Sequence, residues 1–190
     1  MWEAITSTFN TSVMAVTQLL LSTVVSSNPW FDLVQIEIPE VGNSIMCTAR
    51  LEQSFTKSLD DVLLSGETIT LHFTFEILDD ASNEVIHSHE VIRGFRYTVL
   101  DDRYYVLRSE HGKLEGFAAL DEAKASYTSV NGLSICPLDQ LDHRRQYRLR
   151  VRAFLDAVQL PEMTDTVNLM LLWVSTKPTY LSDAFNVSSA

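Results

Sequence analysis

The sequence contains few of the residues that interrupt or cross-link a chain. Six glycines and five prolines among 190 residues exclude long low-complexity linkers, and no internal repeat is present. The two cysteines, Cys47 and Cys136, lie far apart without a CxxC spacing, so they cannot form a zinc site by themselves. Two alternatives fit them: burial as small apolar side chains, which is the default for isolated cysteines, and one disulfide in an exported protein.

The motifs of common enzymes are also missing. No GxSxG nucleophile turn, GxxxxGK[ST] phosphate loop, GxGxxG turn or HExxH zinc motif occurs. The paired carboxylates of Asp79-Asp80 and Asp101-Asp102 lie at predicted turns, where aspartate favours hydrogen bonds to the local backbone. We therefore expect a protein that is not an enzyme and that uses no cofactor.

Positive charge is scarce. Fourteen Lys and Arg residues stand against 25 Asp and Glu residues, which gives a formal net charge of -11. A field of this sign opposes general attraction to nucleic acid or anionic lipid, so no nucleic-acid partner is expected. The apolar fraction of 46% is typical of a globular chain, and 190 residues correspond to one domain that buries roughly 70% of its extended surface.

Charged residues are absent altogether between Ala4 and Phe31. The densest apolar part, residues 13–25, is shorter than the roughly 20 residues of a membrane-spanning helix. Residues 1–30 fit an export leader or weak anchor slightly better than an amphipathic helix docked on the domain, although Glu3 stands where a leader carries basic residues. Peripheral membrane association through residues 4–27 also fits this pattern.

After Pro29 the apolar residues recur with period two, the pattern of half-buried strands. Strands are predicted at residues 34–38, 45–52, 69–77, 84–99, 104–109 and 147–153, and a continuous apolar run predicts a buried strand at residues 167–174. Helical spacing predicts two short helices, at residues 58–64 and from residue 117 to about 124, the second followed by a stop signal at Asn131-Gly132.

Short strands in this number predict a mainly β fold. The expected architecture is an antiparallel β-sandwich, Ig-like in general shape, with two short helices and an apolar N-terminal helix. The sandwich is expected over residues 31–180, with a tail at residues 181–190.

Five of the fourteen basic residues fall between Arg144 and Arg152. Arg148, Arg150 and Arg152 alternate with apolar residues, so a strand places their guanidinium groups on one face, about 7 Å apart. A solvated face with cross-strand ion pairs is the favoured interpretation. A site for an anion, a carboxylate or an acidic partner is the alternative.

Histidines of the predicted hairpin suggest a metal site. We assume that the hairpin pairs about the turn at residues 79–83, so that the numbers of two paired residues sum to about 163. Glu76 then lies opposite His87, and His89 and His72 lie nearby on the same face. Three imidazoles and one carboxylate are sufficient ligands for zinc. The hypothesis depends on the register, because a slip of one residue separates the group.

Two stretches, LLSGETITLHFTFEIL and FAALDEAKASYTSVNGLSICPLDQLDHRRQYRLRVRAFLDAVQLP, resemble the bacterial domain-of-unknown-function family 4390. The similarity extends over about residues 32–173 and depends on the order and spacing of short motifs. The matching positions are Phe117, Asp121-Glu122-Ala123, Gly132-Leu133, Cys136-Pro137-Leu138, Tyr147, Val151-Arg152, Leu160-Pro161 and Trp173.

The resemblance implies a bacterial protein that usually begins with an export leader, and it implies no assigned activity or catalytic residue. The acidic N-terminus departs from that pattern. We therefore expect a non-enzymatic interaction module of the cell envelope or periplasmic side of the membrane, with a protein partner. A cytoplasmic location is the alternative, and a sandwich that binds a small anion or a metal is the alternative function.

Overall fold

The structure, a computed structural model, describes residues 26–39, 42–159, 166–173 and 177–187. Most of the predicted N-terminal leader, anchor or docked helix, residues 1–25, lies outside this part of the chain. Where the description begins, the Ser27 N–H donates to the Leu172 carbonyl at 3.0 Å, and Ser27 forms a parallel bridge with Trp173. In the described ranges, no helix has the length and apolar character needed to cross a membrane.

Twelve strands and two α-helices make up most of the described chain. The strands are β1 (Trp30–Glu37), β2 (Ser44–Glu52), β3 (Ile69–Asp79), β4 (Val85–Thr98), β5 (Arg103–Arg108), β6 (Lys113–Phe117), β7 (Ser129–Pro137), β8 (Gln146–Leu155), β9 (Ala157–Gln159), β10 (Thr166–Asn168), β11 (Thr179–Leu181) and β12 (Phe185–Asn186). The helices are α1 (Lys57–Leu64) and α2 (Leu120–Thr128), and two 3-10 helices span Leu138–Gln140 and Leu169–Leu172.

The strands form antiparallel sheets, which confirms the predicted mainly β class. A seven-stranded sheet has the order β11-β8-β3-β4-β5-β6, with β12 also paired to β8, and a three-stranded sheet has the order β1-β2-β7. Strands β9 and β10 form a separate two-stranded ribbon. One core joins the larger sheets: Cys47 and Ala49 of β2 are buried in the same cluster as Phe73 of β3 and Val151 of β8.

Helix α1 packs its apolar side into this core. Its N-terminus is capped by Thr56, whose Oγ1 accepts a hydrogen bond from the Leu59 N–H at 3.1 Å. Leu59, Val62 and Leu63 recur at helical spacing and are buried. The helix ends before Gly66, whose φ of 87° is in the region that glycine adopts without strain.

The second helix begins and ends later than predicted. Phe117 is the last residue of β6, and α2 spans Leu120–Thr128 before the chain enters β7 directly. Asn131 and Gly132, the predicted stop signal, instead form a bulge in β7 opposite Thr48. Gly132 has a φ of 54° there and donates its N–H to Thr48 Oγ1 at 3.0 Å, so the dipeptide interrupts a strand pairing.

The apolar run at residues 167–174 is not one buried strand. Strand β10 ends at Asn168, whose side-chain oxygen accepts the Met170 N–H at 3.0 Å and so starts the 3-10 helix Leu169–Leu172. Leu169 and Leu172 lie three residues apart, which is one turn of a 3-10 helix, so they share a side and are both buried. Leu171 is exposed. Val174 lies outside the described residues.

The predicted tail also differs from the structure over residues 181–187. Strands β11 and β12 pair with β8, and Val187 is fully buried. These residues complete one edge of the large sheet. Pro178, which has no N–H, precedes β11 at this edge, and β1 lies against β11. Residues 188–190 lie outside the described chain.

Tyr147, at the start of β8, closes the loop that leads into this strand. Its hydroxyl accepts the Asp142 N–H at 2.8 Å and donates to the Asp142 carbonyl at 3.2 Å. This resembles the tyrosine corner of β-sandwiches, in which a tyrosine hydroxyl bonds to the backbone a few residues upstream. The ring itself is buried in the core, so packing and hydrogen bonding both fix where β8 begins.

The two cysteines are buried free thiols, and burial raises the pKa of Cys47 to about 12 and that of Cys136 to about 11. We expect the native chain to react with a thiol reagent at pH 8 far more slowly than the chain in denaturant, because the thiolate is the reactive form. Both thiols should titrate after denaturation. A fast native reaction, or a denatured chain without free thiols, would contradict the buried-thiol assignment.

Candidate functional site

The alternation of β3 gives the large sheet two different faces. Phe73 and Phe75 point into the core, whereas His72, Thr74 and Glu76 lie on the side turned away from the small sheet. We call this second side the outer face. The pairing of β3 with β8 places the predicted arginine row there as well.

The three arginines of the row are paired with carboxylates. Arg150 Nε donates to Glu76 Oε2 at 2.6 Å, and Arg152 Nη2 donates to Glu76 Oε1 at 2.7 Å. Arg148 Nε lies 2.5 Å from the Asp80 carboxylate. The Glu76 side chain is only 9% exposed, and each of its two oxygens accepts a hydrogen bond from one of these guanidinium groups. The row therefore has the cross-strand ion pairs of the favoured interpretation, and anion or partner binding by it remains a prediction.

The structure does not bring the four predicted metal ligands together. Glu76 lies opposite Ser88, and His87 and His89 lie opposite Ile77 and Phe75. His87 and His89 are therefore on the core side of the sheet, whereas His72 and Glu76 are on the outer face. In the described part of the chain, no group of three or more His, Cys, Asp or Glu side chains is placed to hold a metal ion.

A bulge explains why the predicted register was wrong. Beside the turn, Leu78 pairs with Val85, as the prediction required, but the next pair is Ile77 with His87. Ile86 is thus an extra residue in β4, and every pair beyond it is shifted by one position. A shift of one residue moves each side chain of a strand to the opposite face relative to its neighbour.

His72 is held on the outer face by two carboxylates. Its Nδ1 lies 3.0 Å from Glu90 Oε1 and its Nε2 lies 2.9 Å from Asp156 Oδ2. The ring also stacks on Phe154, with centroids 4.4 Å apart. Burial lowers the pKa of His72, but the hydrogen bonds and charges of Asp156 and Glu90 outweigh burial and raise the pKa overall.

A buried charge cluster on the core side was not anticipated from the sequence. Arg93 is 1% exposed, and its Nη2 lies 2.5 Å from Glu110 and donates to the Ser129 carbonyl at 3.0 Å. Burial lowers the pKa of Arg93 to about 10, so the guanidinium stays charged at neutral pH. Glu110 reaches it from the β5–β6 turn, which Ser109 fixes to β4. One feature of the sequence indicated its burial: Arg93 lies two residues from both Val91 and Phe95, so in a strand it shares their core-facing side.

The outer face also carries an apolar groove over β4, β5 and β6, with a volume of about 310 Å³. It is lined by Thr68, Gly94, Arg96, Thr98, Tyr105, Leu107 and Leu114. The floor is open because Gly94 has no side chain: a Cβ there would meet Leu107 and Thr68 at 3.5 Å. Leu107 and Leu114, paired across β5 and β6, are 46% and 60% exposed.

The groove opens beside the edge of the large sheet. Strand β6 pairs with β5 on one side, and no other strand of the described chain pairs with its second side. Alternate backbone N–H and C=O groups of an edge strand point away from the sheet. Exposed leucines and an unpaired strand edge thus lie together at this end of the outer face.

A family model described as Domain of unknown function (DUF4390) matches residues 28–173, which is most of the chain. The chain belongs to this family. No curated protein and no solved structure matches the chain significantly. The predicted family is confirmed. Because the description of DUF4390 names no activity, candidate functional residues rest on the geometry of this chain.

The buried pair Arg93–Glu110 gives a stability prediction for this DUF4390 chain. Glu110→Gln should lower the free energy of unfolding by about 3 kcal/mol, because it removes the carboxylate in direct contact with the buried Arg93 guanidinium. The matched control is Glu52→Gln. Glu52 and Arg50 form an ion pair at 3.4 Å, but both side chains are about half exposed, so a loss of about 0.5 kcal/mol or less in unfolding free energy is expected. Urea unfolding measures both. Equal losses in the two variants would contradict the assignment.

The raised pKa of His72 makes its contribution to stability depend on pH. The protonated imidazole is favoured in the folded state, so the stabilisation is present below the unfolded pKa of 6.5 and is lost as pH rises through the folded pKa. The difference in unfolding free energy between the native chain and His72→Gln should be about 1 kcal/mol larger at pH 5.5 than at pH 8.5.

The control for this experiment is His111→Gln, at an exposed turn residue. We expect it to change the unfolding free energy by less than about 0.5 kcal/mol at either pH. A His72→Gln difference that is the same at both pH values, or larger at pH 8.5, would show that His72 does not bind the two carboxylates in its charged form.

Proposed function

We propose that this DUF4390 chain is a non-enzymatic interaction module of the bacterial cell envelope, and that a protein partner binds its outer face between β4 and β6. One observation supports this most: Leu107 and Leu114 remain about half exposed beside β6, whose second side is unpaired in the described chain. Aliphatic side chains exposed next to a strand edge are typical of surfaces that receive another protein.

The non-enzymatic part of the proposal is supported by the state of the most reactive side chains. Both ring nitrogens of His72 are bonded to carboxylates, which leaves neither free to act as a base on a substrate. The buried thiols of Cys47 and Cys136 have raised pKa values, which disfavours the nucleophilic thiolate.

The envelope part of the proposal is supported by sequence features. The uncharged stretch from Ala4 to Phe31 fits a leader or an anchor. The resemblance to exported bacterial proteins agrees with that interpretation. The alternative location is cytoplasmic, and a measurement of where the full chain is found decides between the two.

The alternative function, binding of a small anion or a metal, has less support. Glu76 and Asp80 already neutralise much of the charge of Arg148, Arg150 and Arg152. His87 and His89 lie on the other side of the sheet from His72 and Glu76. Neither group presents a ready set of free ligands on one surface.

Photo-cross-linking in cells that express the chain natively tests the proposal. A photoreactive phenylalanine analogue replaces Leu114 in one variant and Leu181 in the control, a similarly exposed leucine on the opposite edge strand. We expect one defined heteromeric adduct from position 114, recovered in the envelope fraction, and none from position 181. No adduct at 114, or the same adducts from both positions, would overturn the docking surface. A chain found wholly in the cytosol would overturn the location.

A further inference from the structure

We propose that the groove over β4, β5 and β6 binds a partner segment in which an aliphatic side chain lies close to a carboxylate. The aliphatic group packs against Leu107 and Leu114, and the carboxylate pairs with Arg96. This inference rests on the proposed function, since it names the chemistry of the segment that the outer face receives.

The apolar part of the groove has room for an aliphatic side chain. Leu107 and Leu114 form a cross-strand pair, and Gly94 leaves the floor in front of Leu107 open. A volume of about 310 Å³ accommodates one or two side chains but no folded element. Tyr105 closes one side, and its ring lies over Gly116, where a Cβ would meet it at 3.1 Å.

The charged part of the groove is Arg96, an exposed arginine of β4. The other arginines of the described strands form salt bridges, among them Arg50, Arg93, Arg108 and the row on β8; Arg96 and Arg103 form none. Arg103 is also on the outer face, because its partner across the strands is Thr98, which lies two residues after Arg96 on the same side of β4. One carboxylate lies nearby, since the Tyr105 hydroxyl donates to Asp101, but neither arginine forms a salt bridge with it. In a chain with a formal net charge of -11, two neighbouring guanidinium groups without salt bridges favour an anionic group at this place.

The spacing of the two parts predicts a pattern in the bound segment. Arg96 lies opposite Tyr105 and is therefore a diagonal neighbour of Leu107, about 7 Å away. Residues two positions apart on one face of an extended segment are separated by nearly the same distance. We expect an aliphatic residue and an Asp or Glu at positions i and i+2.

The net charge limits how acidic the partner is. A broadly acidic protein is repelled by the chain as a whole, whereas a single carboxylate beside an aliphatic side chain meets mainly the local field of Arg96. The aliphatic contact then supplies most of the affinity. The ion pair supplies selectivity, and its loss should weaken binding about five-fold, which corresponds to about 1 kcal/mol.

Selection from a library of linear peptides displayed on phage tests the proposal with the full-length chain as bait. On the native chain, enriched peptides should carry an aliphatic residue and an Asp or Glu two positions apart. On Arg96→Glu, the acidic position should change to Lys or Arg while the aliphatic position persists. The control is Arg144→Glu, an exposed arginine without a salt bridge that changes the net charge equally and should leave the selected pattern unchanged.

Gly94→Ala tests the groove floor without disturbing the fold, since the new Cβ makes ordinary contacts at 3.5 Å. It should reduce the affinity of the enriched peptides about ten-fold by fluorescence anisotropy, while the melting temperature of each variant stays near that of the native chain. Arg96→Gln is the second variant and should reduce affinity about five-fold.

The outcomes separate this inference from the proposed function. Enriched peptides without an acidic preference, or with the same pattern on Arg96→Glu, overturn the carboxylate assignment but leave an apolar docking surface. No enrichment on the full-length chain overturns the inference. A defined cross-linked partner at position 114 would still support the proposed function in that case.

Discussion

The alternation of β3, paired on both sides within the large sheet, is the constraint on which most of the structure depends. Its odd-numbered residues, Phe73 and Phe75 among them, fill the core, and its even-numbered residues place His72 and Glu76 on the outer face. The registers with β4 and β8 then decide which charges meet. Glu76 can neutralise two arginines only because Arg150 is directly opposite and Arg152 is diagonal to it.

Features set by short-range patterns could be predicted from the sequence. Period-two alternation identified β3 and the arginine face of β8, and Leu59, Val62 and Leu63 identified α1. The failures occurred where one extra residue or a cap decides the outcome. Ile86 bulges out of β4 and shifts the hairpin register, and Asn168 caps a 3-10 helix within an apolar run. Neither event changes the apolar pattern, so periodicity alone could not reveal it.

The groove could not have been predicted, because its parts come from separate strands. Gly94, Leu107 and Leu114 meet only through the pairings of β4, β5 and β6, and β6 itself has too little alternation to stand out in the sequence. The unneutralised state of Arg96 is likewise a property of its neighbours. The burial of Arg93 could have been predicted. It alternates with Val91 and Phe95, so it points to the core side of β4, and a buried charge needs a partner.

The two edges of the large sheet are unequal, and this limits how such molecules can assemble. At one edge, β11 is three residues long, follows Pro178 and has β1 against it; at the other, β6 has an unpaired side in the described chain. Continuous stacking of sheets into a fibre needs an accessible edge at both ends of each unit. Within the large sheet, an added strand can pair along the unpaired side of β6, whereas β11 at the other edge offers only three residues beside β1. The unequal edges of this sheet therefore disfavour growth of a fibre by repeated edge-to-edge pairing.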